Sequence, residues 1–122
     1  MTEVRYEIVK FQDSNIIIRE FYGVVQAEDI INSFEHIFEK YDIENITGII
    51  SDFEHAKFAM NLKQFQVVLA YINQKPILFK IKLAVIVSTP KKIIFPILAK
   101  TKLRKLRIKP FSTRNAAVVW IN

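Results

Sequence analysis

The feature that most constrains this chain is the run Leu83-Ala84-Val85-Ile86-Val87, five apolar residues in succession that give way to Ser-Thr-Pro. A strand with one wet face alternates apolar and polar residues. An unbroken run fits a strand covered on both faces, the habit of a parallel sheet. Thr89 then stands where a helix cap belongs, with Pro90 at the first helical position. A covered strand followed at once by a helix start points to crossover units and a layered α/β domain.

The rest of the chain extends that pattern. Val4 to Phe11 and Ile16 to Tyr22 read as two strands joined by the turn residues QDSN, an antiparallel hairpin that Gly23 ends. From Ala27 to Tyr41, Ile30, Ile31, Phe34, Ile37, Phe38 and Tyr41 recur at helical spacing and gather into one apolar stripe. Glu28 and Asp29 in the first turn suit the helix dipole. Ile46 to Ser51 reads as a short buried strand ending at Asp52, followed by a loop, FEHAKFAM. Asn61 and Gln64 have capping-box spacing for a helix whose inward face is Leu62, Phe65, Val68, Leu69 and Ile72, and Pro76 bars its continuation. Ile108 to Phe111 reads as the last strand, with Ser112 or Thr113 capping a closing helix, RNAAVVWIN. The order β-β-α-β-α-β-α-β-α predicts a single α/β domain over residues 1–122: a mixed, mostly parallel sheet of about five strands flanked by four helices.

Several of these stretches together carry a resemblance: the hairpin, FYGVVQAEDI, GIISDFEHA, KLAVIVSTP and IKPFSTRNAAVVWIN. The chain resembles the small STAS/SEC14-like proteins, a group related in fold to bacterial anti-sigma-factor antagonists and to CRAL-TRIO lipid-transfer domains. The resemblance runs nearly end to end. It implies that fold and a non-enzymatic binding or regulatory module. In the anti-sigma antagonists, a Ser or Thr that begins the helix after the third strand is phosphorylated, a change that acts through added charge. No hydroxyl lies here between Asp52 and the helix, and Ser51 precedes the Asp within the strand. The serine switch is therefore not carried over. The lipid-transfer side of the resemblance implies an alternative, a carrier of a lipid or small apolar ligand, although a chain of 122 residues has little spare volume for one.

Composition narrows the classes further. Hydrophobic residues make up 51% with ten Phe, enough for a core, while two Gly and four Pro argue against disorder. The absence of Cys excludes disulfides and thiolate metal sites. MTEVRYEIVK does not read as a signal peptide, and no apolar run reaches the ~20 residues that span a bilayer. A soluble, cytoplasmic protein without a cofactor is expected. The net charge of +6 conceals a sharper asymmetry. All twelve acids lie at or before Glu54, against four bases there, a balance of −8; residues 55–122 hold fourteen bases and no acid. Such segregation fits an anionic partner, two halves that neutralise each other within one fold or across a dimer, or a source genome whose composition favours Ile, Lys and Asn.

In open α/β sheets, ligands gather beyond the C-terminal ends of the strands. Ser51, Asp52, Glu54 and His55, with Ser88 and Thr89, are therefore the candidate ligand crevice. Asp52 and His55 have the chemistry of an acid–base or metal pair, yet a metal site takes three or more ligands. The simpler reading has Asp52 accepting backbone N–H groups in a tight loop and His55 in solvent; His36 reads as lying on the wet face of the first helix. No nucleophile–base set, phosphate-cradling Gly loop or dinucleotide fingerprint is present. No catalytic, metal or cofactor-binding residue is assigned.

The segment TPKKIIFPILAKTKLRKLRIK is the other candidate. On one long helix Phe95, Ala99, Leu103 and Leu106 make a core stripe, and Lys100, Arg104, Lys105 and Arg107 fall opposite, where long cations reach water. With Lys91 and Lys92 these are the candidate contacts for an anionic surface or partner. Ile93, Ile94, Ile97 and Leu98, around a Pro96 expected to kink or reset the helix, make a candidate apolar interface. A solvated helix is the plainest account. Beyond it the pattern fits self-association or another protein partner first, an anionic membrane surface second, and nucleic acid last, since no reading motif accompanies the charge.

Overall fold

Alternation builds the first pair of elements. β1 (Thr2–Phe11) and β2 (Ser14–Val25) pair antiparallel from Thr2↔Gly23 to Phe11↔Ser14, which leaves a two-residue loop of Gln12 and Asp13. Loops this short favour left-handed backbone, and Gln12 supplies it with φ of 54°. The C-terminal residue steadies the turn: Asn122 accepts a hydrogen bond from Ser14 Oγ at 2.7 Å and donates one to Gln12 Oε1 at 3.0 Å.

A computed structural model describes residues 2–122. After the hairpin come α1 (Ala27–Lys40), β3 (Gly48–Asp52), β4 (Ala56–Phe58), α2 (Leu62–Asn73), β5 (Lys82–Ile86), α3 (Pro90–Lys102), β6 (Arg107–Phe111) and α4 (Arg114–Ile121). The sheet runs β1-β2-β3-β5-β6, and β4 lies beside β2. Every pairing after the hairpin is parallel. The expected α/β domain with four helices and a mostly parallel sheet is found, with six strands instead of five. FEHAKFAM is not all loop, and β2 does not stop at Gly23. Gly23 has φ of 84°, so the strand bends there and continues, pairing Gly23–Val25 with Ala56–Phe58 beyond the end of β3. Three residues are too few for a periodicity to show.

The period of two divides the sheet between two layers. Ile17, Phe21, Ile49, Leu83 and Val85 face the stripes of α1, α2 and α3, among them Phe34, Ile37, Val68, Ile72 and Ala99. Ile16, Ile18, Ile50, Ala84 and Ile86 face Ala117 and Ile121 of α4. β5 thus presents apolar residues to both layers, as its unbroken run requires. Asn61 and Gln64 cap α2 reciprocally, at 2.8 and 2.9 Å. Thr113 caps α4 by accepting from Ala116 N–H. Thr89 precedes α3 without a capping bond from its side chain; its carbonyl accepts from Lys92 and Ile93 instead.

Two expectations for the basic segment are corrected. Pro96 sits buried inside α3, which runs on to Lys102 without a break. The helix then ends, so the cations do not share one helical face. Leu103 is the C-cap, Arg104 and Lys105 lie in a turn, and Arg107 opens β6. The turn has a cause: Lys100 Nζ donates to the carbonyls of Arg104 and Leu106 at 2.9 and 2.8 Å, and Leu106 is driven fully into the core. β6 ends the sheet. Phe111 directs its carbonyl to Val87 N–H on the β5 side, so the backbone of Pro110 points the other way.

α4 reaches the sheet only because β3 opens with glycine. A Cβ on Gly48 would stand 2.6 Å from Ile121 Cγ2 and 2.7 Å from the Lys82 carbonyl. Backbone on one side and a fully buried side chain on the other leave no room to relax. Gly48→Ala is expected to destabilise the fold by about 1–3 kcal/mol, seen as a lower urea midpoint with unchanged m.

Candidate functional site

Three places gather the chemistry. The first is the sheet's α4 face at the C-terminal ends of the strands. Adjacent residues on a strand point to opposite faces, so Ser51 and Asp52 part company. Asp52 turns toward α4 and is buried. It accepts Glu54 N–H at 3.0 Å, the tight-loop role expected of it, and it meets Arg114 Nε at 3.3 Å. Arg114, the first residue of α4, also holds Glu20 at 2.7 Å and Glu7 at 3.1 Å. One guanidinium therefore gathers carboxylates from β1, β2 and β3. His55 takes no part: its ring stacks on Tyr22, centroids 5.4 Å apart. His36 is corrected too, since it is half-buried and stacked on Tyr6 at 4.4 Å. Ser88, Thr89 and Glu54 are exposed, so the six crevice residues do not converge.

The second place is inside the main core. Arg19 of β2 is 2% exposed among residues that are nearly all apolar. Its Nε donates to Ser51 Oγ at 2.7 Å and its Nη1 to the Ile30 carbonyl at 3.2 Å, and the guanidinium lies 3.8 Å over the Phe34 ring. No carboxylate pairs with it among the described residues. Burial pulls its pKa down from the ordinary arginine value to about 9, a loss the phenols of Tyr6 and Tyr71 only partly counter. Arg19 and Ser51 line a chamber of about 50 Å³ whose other walls are apolar, including Phe53, Phe65, Val85 and Phe95.

The third place is a groove of about 570 Å³ over β4 and the N-terminal ends of α2 and α3. Lys57, Lys91 and Lys92 border it, with Leu62, Ile94 and Phe95 as apolar surface. Lys92 is half-buried, and its Nζ donates to the Phe53 carbonyl at 3.0 Å. Ile93, Ile94 and Ile97 are exposed, Ile97 at 50%, whereas Leu98 packs against the main core. Of the remaining cations, Lys100 is used in its turn and Arg107 donates to the Lys80 carbonyl, while Arg104 and Lys105 are exposed without a carboxylate partner among the described residues.

Sequence reasoning missed Arg19 and Arg114. Arg19 had a signal: it shares parity with Ile17 and Phe21, the apolar residues that β2 turns to the main core, so it points the same way. Arg114 had none, because its three partners lie 62 to 107 residues away.

No family model matches the sequence, and no curated protein matches it. Solved structures do. An uncharacterized DUF3478-family protein with a SpoIIAA-like fold from Shewanella loihica PV-4 superposes with a TM-score of 0.72 at 15% identity, over 100% of this chain and 96% of that one. The chain has the SpoIIAA-like fold. Two structures of SpoIIAA itself agree. The anti-sigma factor antagonist in its unphosphorylated form gives a TM-score of 0.55 at 12% identity, over 96% and 97% of the two chains. The phosphorylated form, a Bacillus cell fate determinant, gives 0.56 at 13%, over 97% and 100%. The STAS-like resemblance read from the sequence is therefore upheld as a fold. Within that SpoIIAA-like frame, α2 is capped by Asn61, and Ser51 is buried in β3.

Two outcomes test the buried charges. Arg114→Ala leaves Asp52 buried without its cation and is expected to cost about 1–3 kcal/mol. Asp52→Asn in that background should cost less than in the native protein, a coupling that a double-mutant cycle in urea reads directly. At Arg19 the sign is opposite. Below pH 9 the guanidinium is charged in both the folded and the unfolded chain, and its burial is opposed in full. Above pH 9 the folded protein sheds a proton that the unfolded chain keeps, so stability rises with pH. Arg19→Met is expected to raise Tm at pH 7, with a gain that shrinks as the pH passes 9.

Proposed function

We propose that this protein is a non-enzymatic regulatory module of the STAS type that docks a protein partner whose surface is acidic around an apolar patch. The observation that carries the reading is the groove over β4, α2 and α3. It exposes Leu62 and Ile94, three lysines border it, and no residue lining it is acidic. Apolar surface ringed by one sign of charge favours a complementary patch and speeds encounter with it. The N-terminal ends of the 12-residue α2 and 13-residue α3 add positive potential to the same rim. A protein of like fold described as an anti-sigma factor antagonist points the same way by analogy.

Catalysis has no comparable support. Asp52 is committed to Arg114 and His55 to Tyr22, and among the described residues no three His, Cys, Asp or Glu side chains are grouped to hold a metal. With Asn61 as the α2 cap and Ser51 inside the sheet, partner binding on this reading is not gated by a phosphate at α2. A carrier role for a whole lipid is unsupported by a chamber of about 50 Å³. A second copy of the chain qualifies as the partner, since α1 carries exposed Glu28, Glu35 and Glu39. The cytoplasm is the compartment this reading assumes; no helix is long and apolar enough to cross a membrane. One observation favours a second reading. Ile93, Ile94 and Ile97 form an exposed row on α3 beside Lys91, which suits shallow docking on anionic lipid.

A photocrosslinking residue in place of Leu62 is expected to give, in living cells, a discrete protein adduct that disappears when Lys57 and Lys91 are both changed to Glu. No adduct, or one that survives the charge reversal, removes the reading. Flotation decides the second reading: recovery with anionic but not neutral liposomes supports it, and equal recovery ends it.

A further inference from the structure

We infer that the chamber behind Arg19 is a binding site for a small organic carboxylate, gripped by the guanidinium at one end and by apolar walls at the other. A cation taken out of water needs a compensating anion or a full set of hydrogen bonds. Arg19 has neither. Of its five N–H donors, one on Nε reaches Ser51 and one on Nη1 reaches Ile30; Nη2 makes no hydrogen bond among the described residues. Phe34 covers one face of the guanidinium and leaves its edge. The edge is where Nη1 and Nη2 offer the parallel fork that fits a carboxylate in bidentate fashion.

The chamber fixes the rest of the ligand. Arg19 is the single charge in its lining, so the ligand is a monoanion. Ser51 is the only side chain there with a hydroxyl, and apart from it and Arg19 the walls are apolar, so the remainder of the ligand is apolar. A volume of about 50 Å³ holds roughly three or four water-sized groups, the size of acetate or propionate. For ligands of four or five heavy atoms the efficiency ceiling keeps Kd no tighter than roughly 10 μM, so titration belongs in the millimolar range. Entry has a route. Phe58, Met60 and Phe95 line both the chamber and the outer groove, so one layer of side chains separates them, and the unbranched Met60 is the most adaptable of the three.

The test is a set of thermal melts and amide NMR titrations with sodium propionate, sodium chloride at matched ionic strength, and neutral propionamide. Propionate is expected to raise Tm by about 5 °C at ten times Kd and further with the logarithm of its concentration, with saturable amide shifts centred on Ile30, Phe34 and Ser51. Chloride and propionamide should do neither, and hexanoate should be too long. Arg19→Met should abolish the response. Should that variant fail to fold, Val85→Leu fills the chamber while keeping Arg19 and should weaken propionate at least tenfold. The inference is overturned if propionate gives no saturable amide shift up to 50 mM (about five thousand times the ceiling Kd), if chloride or propionamide matches it, or if Arg19→Met or Val85→Leu responds as the native protein does.

Discussion

Eight residues, Arg114–Ile121, form the single helix over one face of this sheet, while three helices share the other. That imbalance puts unusual weight on how α4 is seated. Arg114 fixes its N-terminal end against three strands, Gly48 and Ala84 let its body come close, and Asn122 ties its far end to the hairpin turn. The parallel core depends on this arrangement, because β3 and β5 are apolar on both faces and need cover on both. The Arg114 cluster is also where the two electrostatic halves of the chain meet. Among the described residues the acids of the first half reach only two cations, Arg5 and Arg114. The other bases are left to backbone carbonyls, to solvent, or to something outside the molecule.

Local and periodic features were legible in the sequence; long-range partners were not. The run Leu83 to Val87 announced a strand covered twice, the stripe from Ile30 to Tyr41 announced α1, and Asn61 with Gln64 marked the start of α2. β4 escaped because three residues cannot display a period and because Gly23 reads as a stop when it is a bend. The basic segment was drawn as one helix because its leucines kept helical spacing across Leu103. That spacing is blind to Lys100 folding back onto the carbonyls of its own turn. The crevice residues lie at or just past the ends of β3 and β5, but the pleat sends Ser51 and Asp52 to opposite layers, so neighbours in sequence serve separate places.

The same pleat explains why Arg19 matters more than the dense cations of the C-terminal half. A lysine on a wet turn costs little and says little, for water solvates it. A guanidinium held in the core opposes folding at neutral pH, and the fold tolerates it by adding Phe34, Ser51 and the Ile30 carbonyl around it. Stability is given up in the interior of the domain, one side-chain layer beneath the groove that exposes Leu62 and Ile94. Inner chamber and outer groove thus share Phe58, Met60 and Phe95, and whatever sets the rotamers of those three sets the shape of both.

The edge at β6 has a further consequence. Sheets with a bare outer strand recruit strands from other molecules. Here the outward-facing backbone position at Pro110 has no N–H to offer, and Lys109 beside it adds charge. A strand from another molecule finds an interrupted ladder at that margin, so polymerisation by sheet extension is blocked on this side. Any assembly on the β6 side is therefore confined to contacts between side-chain surfaces, and the chain keeps its most cationic region free of the fibril-forming hazard that an open parallel edge carries.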